Sequence, residues 1–156
     1  MKISPLFVVW QNKKPCVIND HSCSRINDNI LHSEAKVKYD DMCTFGQTLH
    51  DAHSANPGKC LVTFKSDVAS AFLNLPAHPI FQLQQVVKIK GKLFIVWCLV
   101  FGNQASPCCW YAVSGLLCWL GIQKLHIHGL HIYMDNFLGW DYASNLVSYQ
   151  GKLCLH

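Results

Sequence analysis

Charge is scarce in this sequence. Only 14% of its 156 residues are Asp, Glu, Lys or Arg, against about 25% in an average globular chain. Arg25 is the sole arginine among 13 basic residues, and Glu34 the sole glutamate among 9 acids. That thinness argues against a disordered tail, a long salt-bridged helix or a strongly basic nucleic-acid arm. The net charge of +4 and a pI near 8.6 permit an anionic partner without demanding one. No two of the nine cysteines have CxxC spacing, and a small secreted disulfide scaffold would be shorter and richer in turns. The cysteines therefore read as buried free thiols, which favours an intracellular location over a secreted one. No apolar run reaches the roughly 20 residues that span a bilayer. The longest apolar stretch, Leu93 to Ile122, is cut by Gly102-Asn103-Gln104-Ala105-Ser106-Pro107, and the short one from Ile3 to Trp10 is broken by Pro5. A membrane-associated protein built on residues 93–122 is thus the weakest of the function classes considered, and no membrane partner is expected. There is no internal repeat, GxSxG elbow, P-loop or dinucleotide-binding fingerprint.

What is present is a well-supplied core. Hydrophobic residues make up 51% of the chain, and its length suits one domain. Strand-like runs at Phe7–Trp10 and Cys16–Ile18 flank Asn12-Lys13-Lys14-Pro15, and a loop rich in Asn, Asp and Ser follows from Asn19 to Asn29. The spacing of Met42, Phe45, Leu49 and Ala52 predicts one apolar face of a helix over 41–53, stopped by Asn56-Pro57-Gly58. Leu61–Phe64 reads as a strand arriving at Asp67, and Val68–Leu75 as a helical turn. Val86–Lys90 and Leu93–Trp97 predict a hairpin around Gly91-Lys92. Ser106-Pro107 looks like an N-cap followed by a first-turn proline, with the helix ending near Gly121. A second hairpin is expected with Asp135-Asn136 at its tip. The order of elements predicts an α+β fold with an antiparallel sheet.

Two acids stand out because each ends an apolar strand. Asp67 follows Leu61–Phe64, and Asp135 follows Ile132–Met134. Either each aspartate merely caps a turn, or the two strands lie side by side and bring the carboxylates together. Like charges at close range need a cation between them, and hard Mg²⁺ suits oxygen ligands. His126, His128 and His131 fall short of a zinc set, since strand alternation would put His131 on the opposite face from the other two.

These residues also carry a resemblance. Lys65-Ser66-Asp67-Val68-Ala69-Ser70-Ala71-Phe72 resembles the first catalytic motif of reverse transcriptases. Leu99-Val100-Phe101-Gly102-Asn103-Gln104-Ala105-Ser106-Pro107 is similar to their next motif, and Tyr133-Met134-Asp135-Asn136 to the YxDD box. Lys14 to Ile30 is similar to the fingers segment, and the style is closest to DIRS-like retroelements. The match runs from about Ile3 to Leu146. It implies a polymerase palm with partial fingers: residues 1–60 as fingers and 61–156 as a truncated palm, without thumb or RNase H. It implies Asp67 and Asp135 as catalytic metal ligands for two Mg²⁺ ions, with Asn136 at the second YxDD position. Phe72 would be the steric gate under the incoming sugar, or an aromatic of the palm core. Gly102, Gln104 and Lys14 join it as substrate-contacting positions. The implied partners are an RNA or DNA template-primer and deoxynucleotides.

The departures weigh against a working enzyme. Asn136 stands where the family has an aspartate and offers no negative charge. Cys16 stands where an arginine usually faces the triphosphate, and a thiol cannot make that bidentate, charged contact. Val100 replaces a proline, and Asn103-Gln104 a common leucine-arginine pair. The expectation is therefore a reverse transcriptase fragment with weak or no activity alone. The alternative is a non-enzymatic remnant that binds nucleic acid or protein.

Overall fold

The computed structural model describes residues 2–148. In chain order it contains β1 (Ile3–Ser4), β2 (Leu6–Gln11), β3 (Lys14–Asn19), α1 (His32–Ala35), α2 (Met42–Ala55) and β4 (Leu61–Asp67). Then come α3 (Pro79–Gln82), β5 (Val86–Ile89), β6 (Lys92–Ile95), α4 (Ser106–Gln123), β7 (His131–Tyr133) and β8 (Asn136–Tyr142). Short 3-10 turns occupy Asn27–Asn29, Ala71–Asn74 and Ala143–Ser148. The class is α+β, and every sheet pairing is antiparallel except β1 with β5. The chain divides into two compact units. Unit 1 is Met1–Val37 with Ser70–Trp110, and unit 2 is Lys38–Ala69 with Tyr111–His156.

Unit 1 is built from hairpins. β2 and β3 pair from Leu6↔Asn19 to Gln11↔Lys14, and the two turn residues, Asn12 and Lys13, both have positive φ (50° and 64°). β5 and β6 close the same way at Ile89↔Lys92, around Lys90 and Gly91 (φ 48° and 81°). Positive φ at both positions is the mark of a type I′ turn, whose twist matches the flanking strands. The turn is Lys90-Gly91, one residue earlier than the sequence reading, because glycine takes the second left-handed position rather than the first. The fully buried Gln85 ties the base of this hairpin, its amide donating to the carbonyls of Val96 (3.2 Å) and Cys98 (3.1 Å).

Unit 2 is a three-stranded sheet in the order β4-β8-β7. One face carries Phe64, Ile132 and Phe137, which pack with Leu117 and Cys118 of α4 and with Ile127 and Leu130 beyond it. Position 139 falls on this face by alternation with Phe137 and must be glycine there, because a Cβ would run into the ring of Phe64. The other face carries His131, Trp140 and Tyr142, and α2 lies against it. Phe45 meets His131 edge-on, Trp140 Nε1 donates to Thr48 (3.3 Å), and the Tyr142 hydroxyl donates to the Ala52 carbonyl (3.0 Å). Asp41 caps α2, its carboxylate accepting the Thr44 N–H at 2.6 Å. Phe45 and Ala52 are buried as the spacing predicts, but Met42 is 60% exposed. At the free edge of the sheet, the Asp40 carboxylate accepts the Ile132 N–H (3.0 Å) and lies 3.8 Å from His131 Nδ1.

Several local expectations are corrected. The Ser106 hydroxyl donates back to the Val100 carbonyl (2.9 Å) instead of capping α4, and Asn103 holds the entry by accepting the Ala105 N–H (2.7 Å). His126 and His128 precede β7 and lie in no strand, and no cluster of three metal-ligating His, Cys, Asp or Glu exists among the described residues. The eight described cysteines are free, but only Cys118 is buried, since the others lie on loops, turns and open faces. Burial, with Asp40's charge as the smaller influence, pushes the Cys118 thiol up to about 11. Cys154 and the rest of residues 149–156 lie outside the described residues. No described helix is long and apolar enough to cross a membrane.

Candidate functional site

Three of the residues singled out by sequence meet in unit 2. Asp67 is the last residue of β4, and the ladder places it directly opposite Asn136, the first residue of β8. Opposed Cα atoms in such a pair are about 4.5–5.5 Å apart. The chain next to each is bonded as well, the Val68 N–H donating to the Asp135 carbonyl at 3.0 Å. Asp67 is exposed and Asp135 half-buried, so both carboxylates end at the rim of the sheet rather than in its core.

The β7–β8 turn differs from the sequence reading. Its two central residues are Met134 and Asp135, while Asn136 belongs to β8 and pairs with Tyr133. Met134 has φ 56°, a left-handed conformation unusual for a long side chain and one that costs about 1–2 kcal/mol. The Asn136 amide donates to Asp135 Oδ1 at 3.0 Å, so asparagine stands beside the aspartate as a hydrogen-bond donor where a third carboxylate would supply charge. Two carboxylates at neighbouring strand ends are a donor set that a hard divalent cation accepts.

Beside these residues the sheet face is open. A hollow of about 470 Å³ is lined by Met42, Lys65, Tyr133, Asn136 and Leu138. Lys65 is on the same face as Asp67 and opposite Leu138, so one cation and the Tyr133 ring line the hollow next to the Asp67–Asn136 pair. Tyr39 packs against both Tyr111 (5.8 Å between ring centres) and Tyr133 (5.5 Å), bracing the turn from the side.

The remaining candidates lie in unit 1. Phe72 follows Ser70, itself left-handed at φ 54°, and its ring packs on Phe101 with centres 4.9 Å apart. Gly102 has φ 96°, and a Cβ at that position would collide with the Asn19 carbonyl oxygen. Only glycine allows the two loops to approach so closely. Gln104 donates its N–H to Asn27 Oδ1 (3.0 Å), and its side-chain amide lies 3.3 Å from His32 Nδ1. Lys14 opens β3 while Asn19, at the Gly102 contact, ends it. At about 3.3 Å per residue, Lys14 sits ~16 Å up the ribbon from that loop. Cys16 Sγ faces Gln11 Oε1 at 3.9 Å, a weak contact.

Sequence reasoning missed the second loop. Asn27 bonds both sides of Gly102-Gln104, and His21 and Asn103 meet in the interior. The only available signal was the density of Asn and Asp between 19 and 29.

No protein-family model matches the chain, and no curated protein matches it. Among solved structures it is similar to a foamy viral protease-reverse transcriptase in complex with double-stranded DNA. The identity is 17% and the TM-score 0.60, over 89% of this chain and 22% of that one. The fold is reverse-transcriptase-like. A native protease-reverse transcriptase of prototype foamy virus matches similarly, at 17% identity and TM-score 0.58, over 87% of this chain and 16% of that one. The reverse-transcriptase-like fold thus spans only about a fifth of the length of these neighbours.

Proposed function

We propose that this chain is the fingers–palm part of a retroelement reverse transcriptase, with residues 1–60 as partial fingers and 61–156 as palm. The motif style places it nearest DIRS-like elements. The reading rests above all on one observation, the ladder that sets Asp67 against Asn136 with Asp135 beside it. The ancestral reaction is RNA-directed DNA synthesis, in which a primer 3′-hydroxyl attacks the α-phosphate of a deoxynucleotide. Asp67 and Asp135 would hold Mg²⁺, which when bound lowers the pKa of the attacking hydroxyl and neutralises charge on the phosphate. In unit 1, the exposed Phe101 ring, packed at a tilt on Phe72, would offer an apolar contact to a sugar or base.

Asn136 and Cys16 argue that this 156-residue stretch has little or no polymerase activity by itself. Primer extension on a poly-A template with Mg²⁺ or Mn²⁺ is expected to stay at background. Robust template-dependent synthesis by the unmodified chain would refute that. Asn136→Asp supplies a third carboxylate and is expected to tighten Mn²⁺ binding by roughly an order of magnitude. An unchanged Mn²⁺ titration would remove the carboxylates from the metal-site reading.

A second reading, nucleic-acid binding without synthesis, is favoured by the charge distribution. Unit 1 holds eight of the basic residues and three of the acids, a balance of +5, while unit 2 stands at −1. Lys13 and Lys14 sit at one hairpin tip, and Lys88, Lys90 and Lys92 at the other. An exposed aromatic, Trp10 at 70%, lies beside the first tip, a combination suited to tracking a phosphate backbone and stacking on a base.

A further inference from the structure

Loop 101–105 is held by loop 19–27 through four polar contacts within unit 1. The Asn19 N–H donates to the Phe101 carbonyl (3.0 Å), the Asn27 amide to the Gly102 carbonyl (3.0 Å), and the Gln104 N–H to Asn27 Oδ1 (3.0 Å). The fourth is the contact between Asn103 Nδ2 and His21 Nδ1 at 3.1 Å. It differs from the others because both partners are buried, His21 at 0% exposure and Asn103 at 4%.

The protonation state of His21 follows from its neighbour. Asn103 Oδ1 is committed to the Ala105 N–H at 2.7 Å, so the amide nitrogen faces the ring. An NH₂ group only donates, and His21 Nδ1 must therefore accept. The imidazole is neutral, with its proton on Nε2. Protonation at Nδ1 would set a donor against a donor. Asn103 cannot turn over to relieve this, because its NH₂ would then confront the Ala105 N–H.

We propose that His21 is a pH-operated latch on loop 101–105: the neutral ring holds the loop, and the imidazolium releases it. The surroundings agree. Burial pulls the ring's pKa below 6.5, and the charge of Asp20 opposes this as the smaller influence. Nε2 has no acceptor among the described residues, so nothing there steadies a second charged N–H. α3 presents Phe81, whose ring meets His21 edge-on at 6.4 Å, and loop 101–105 presents Asn103. Neither titrates. On its own loop, Arg25 and Asp28 are exposed and paired with each other at 2.8 Å. His32, at the start of α1, faces Gln104 and is the other titratable group that touches the latched loop. The latch does not depend on whether the loop binds a nucleotide.

The test is hydrogen exchange of the full chain from pH 7.5 to 4.5, corrected for intrinsic rates, following the Gln104 and Ala105 amides. Protection should fall about tenfold as His21 protonates, the equilibrium effect of one lost buried hydrogen bond. His21→Asn places an amide oxygen where Nδ1 lies, and it should flatten the profile. Asn103→Asp presents a carboxylate that the imidazolium can bond, so protection should no longer fall as the ring protonates. A flat wild-type profile overturns the proposal, and so does a fall that persists in His21→Asn, which would assign the effect to His32 or elsewhere. Nitrogen NMR of the wild-type imidazole gives a variant-free check. A proton on Nε2 at pH 7.5 supports the latch, and a proton on Nδ1 sinks it.

Discussion

Asn136 takes part in the sheet with its backbone and in the turn with its side chain. Its backbone keeps the register with Asp67 and Tyr133, while its side chain gives Asp135 a hydrogen-bond donor in place of a neighbouring charge. Gly102 is the opposite case, a residue whose value lies in what it lacks. Gly102→Ala is expected to cost at least about 2 kcal/mol, from the left-handed backbone and the collision with Asn19, read as a lower midpoint in urea. His21 adds a pH dependence. Its folded pKa lies below the unfolded value of 6.5, so between the two the unfolded chain binds the extra proton. Stability is full above about pH 6.5 and declines as pH falls toward the folded pKa, and denaturation midpoints at pH 7.5 and 5.5 should separate in wild type but converge in His21→Asn. Asp67 and Asp135 were visible in the sequence because each ends an apolar run. His21 and Asn103 were not, since they lie 82 positions apart and no local pattern links them.

Hairpins were legible to within a residue, whereas the cap of α4 was not, because Asn103 takes the place expected of Ser106. Gly91-Lys92 announced a tight turn, and the one-residue displacement to Lys90-Gly91 came from which half of the I′ turn the glycine fills. Asp135-Asn136 looked like the tip of the second hairpin because Asp and Asn favour turns. The strained Met134 takes the turn instead, which frees Asn136 for the ladder. Two elements yield direct tests. Lys13 holds φ 64° in the β2–β3 turn, so Lys13→Gly should stabilise that ribbon by up to about 1 kcal/mol, measured as a raised melting midpoint. Asp41 caps α2, and its carboxyl is held below 3.8 chiefly by the Thr44 N–H it accepts. A depressed acid stabilises above its unfolded pKa, and the benefit disappears as pH falls through the folded one. The helical circular-dichroism signal should weaken at that low pH, and Asp41→Ala should show the weaker signal already at neutral pH. The face of α2 was half legible: Phe45 and Ala52 point inward, but Met42 was misassigned because α2 overhangs the hollow where its first turn begins.

For the whole molecule, the class of fold was readable from the order of elements, while the division into two units was not. Each unit is discontinuous in sequence, and local patterning carries no signal for a chain that leaves a unit and returns. The division reorganises the charge. A modest +4 overall divides into a basic unit 1 and a nearly neutral unit 2. If the lysines of the β5–β6 hairpin meet phosphates, replacing Lys88, Lys90 and Lys92 with alanine should reduce the slope of log affinity for single-stranded RNA against log salt by about 2. An unchanged slope would place the contacts elsewhere.

The Asp40 carboxylate has a consequence for the company this chain keeps. β7 is an outer strand, and Asp40 occupies the one outward N–H that the short strand would present at Ile132. A second chain seeking to add its own strand there meets a negative charge instead of a free donor. With so much apolar surface elsewhere, this single side chain works as a guard against growth of the sheet from molecule to molecule. Asp40→Ala should therefore reveal itself as concentration-dependent assembly in light scattering.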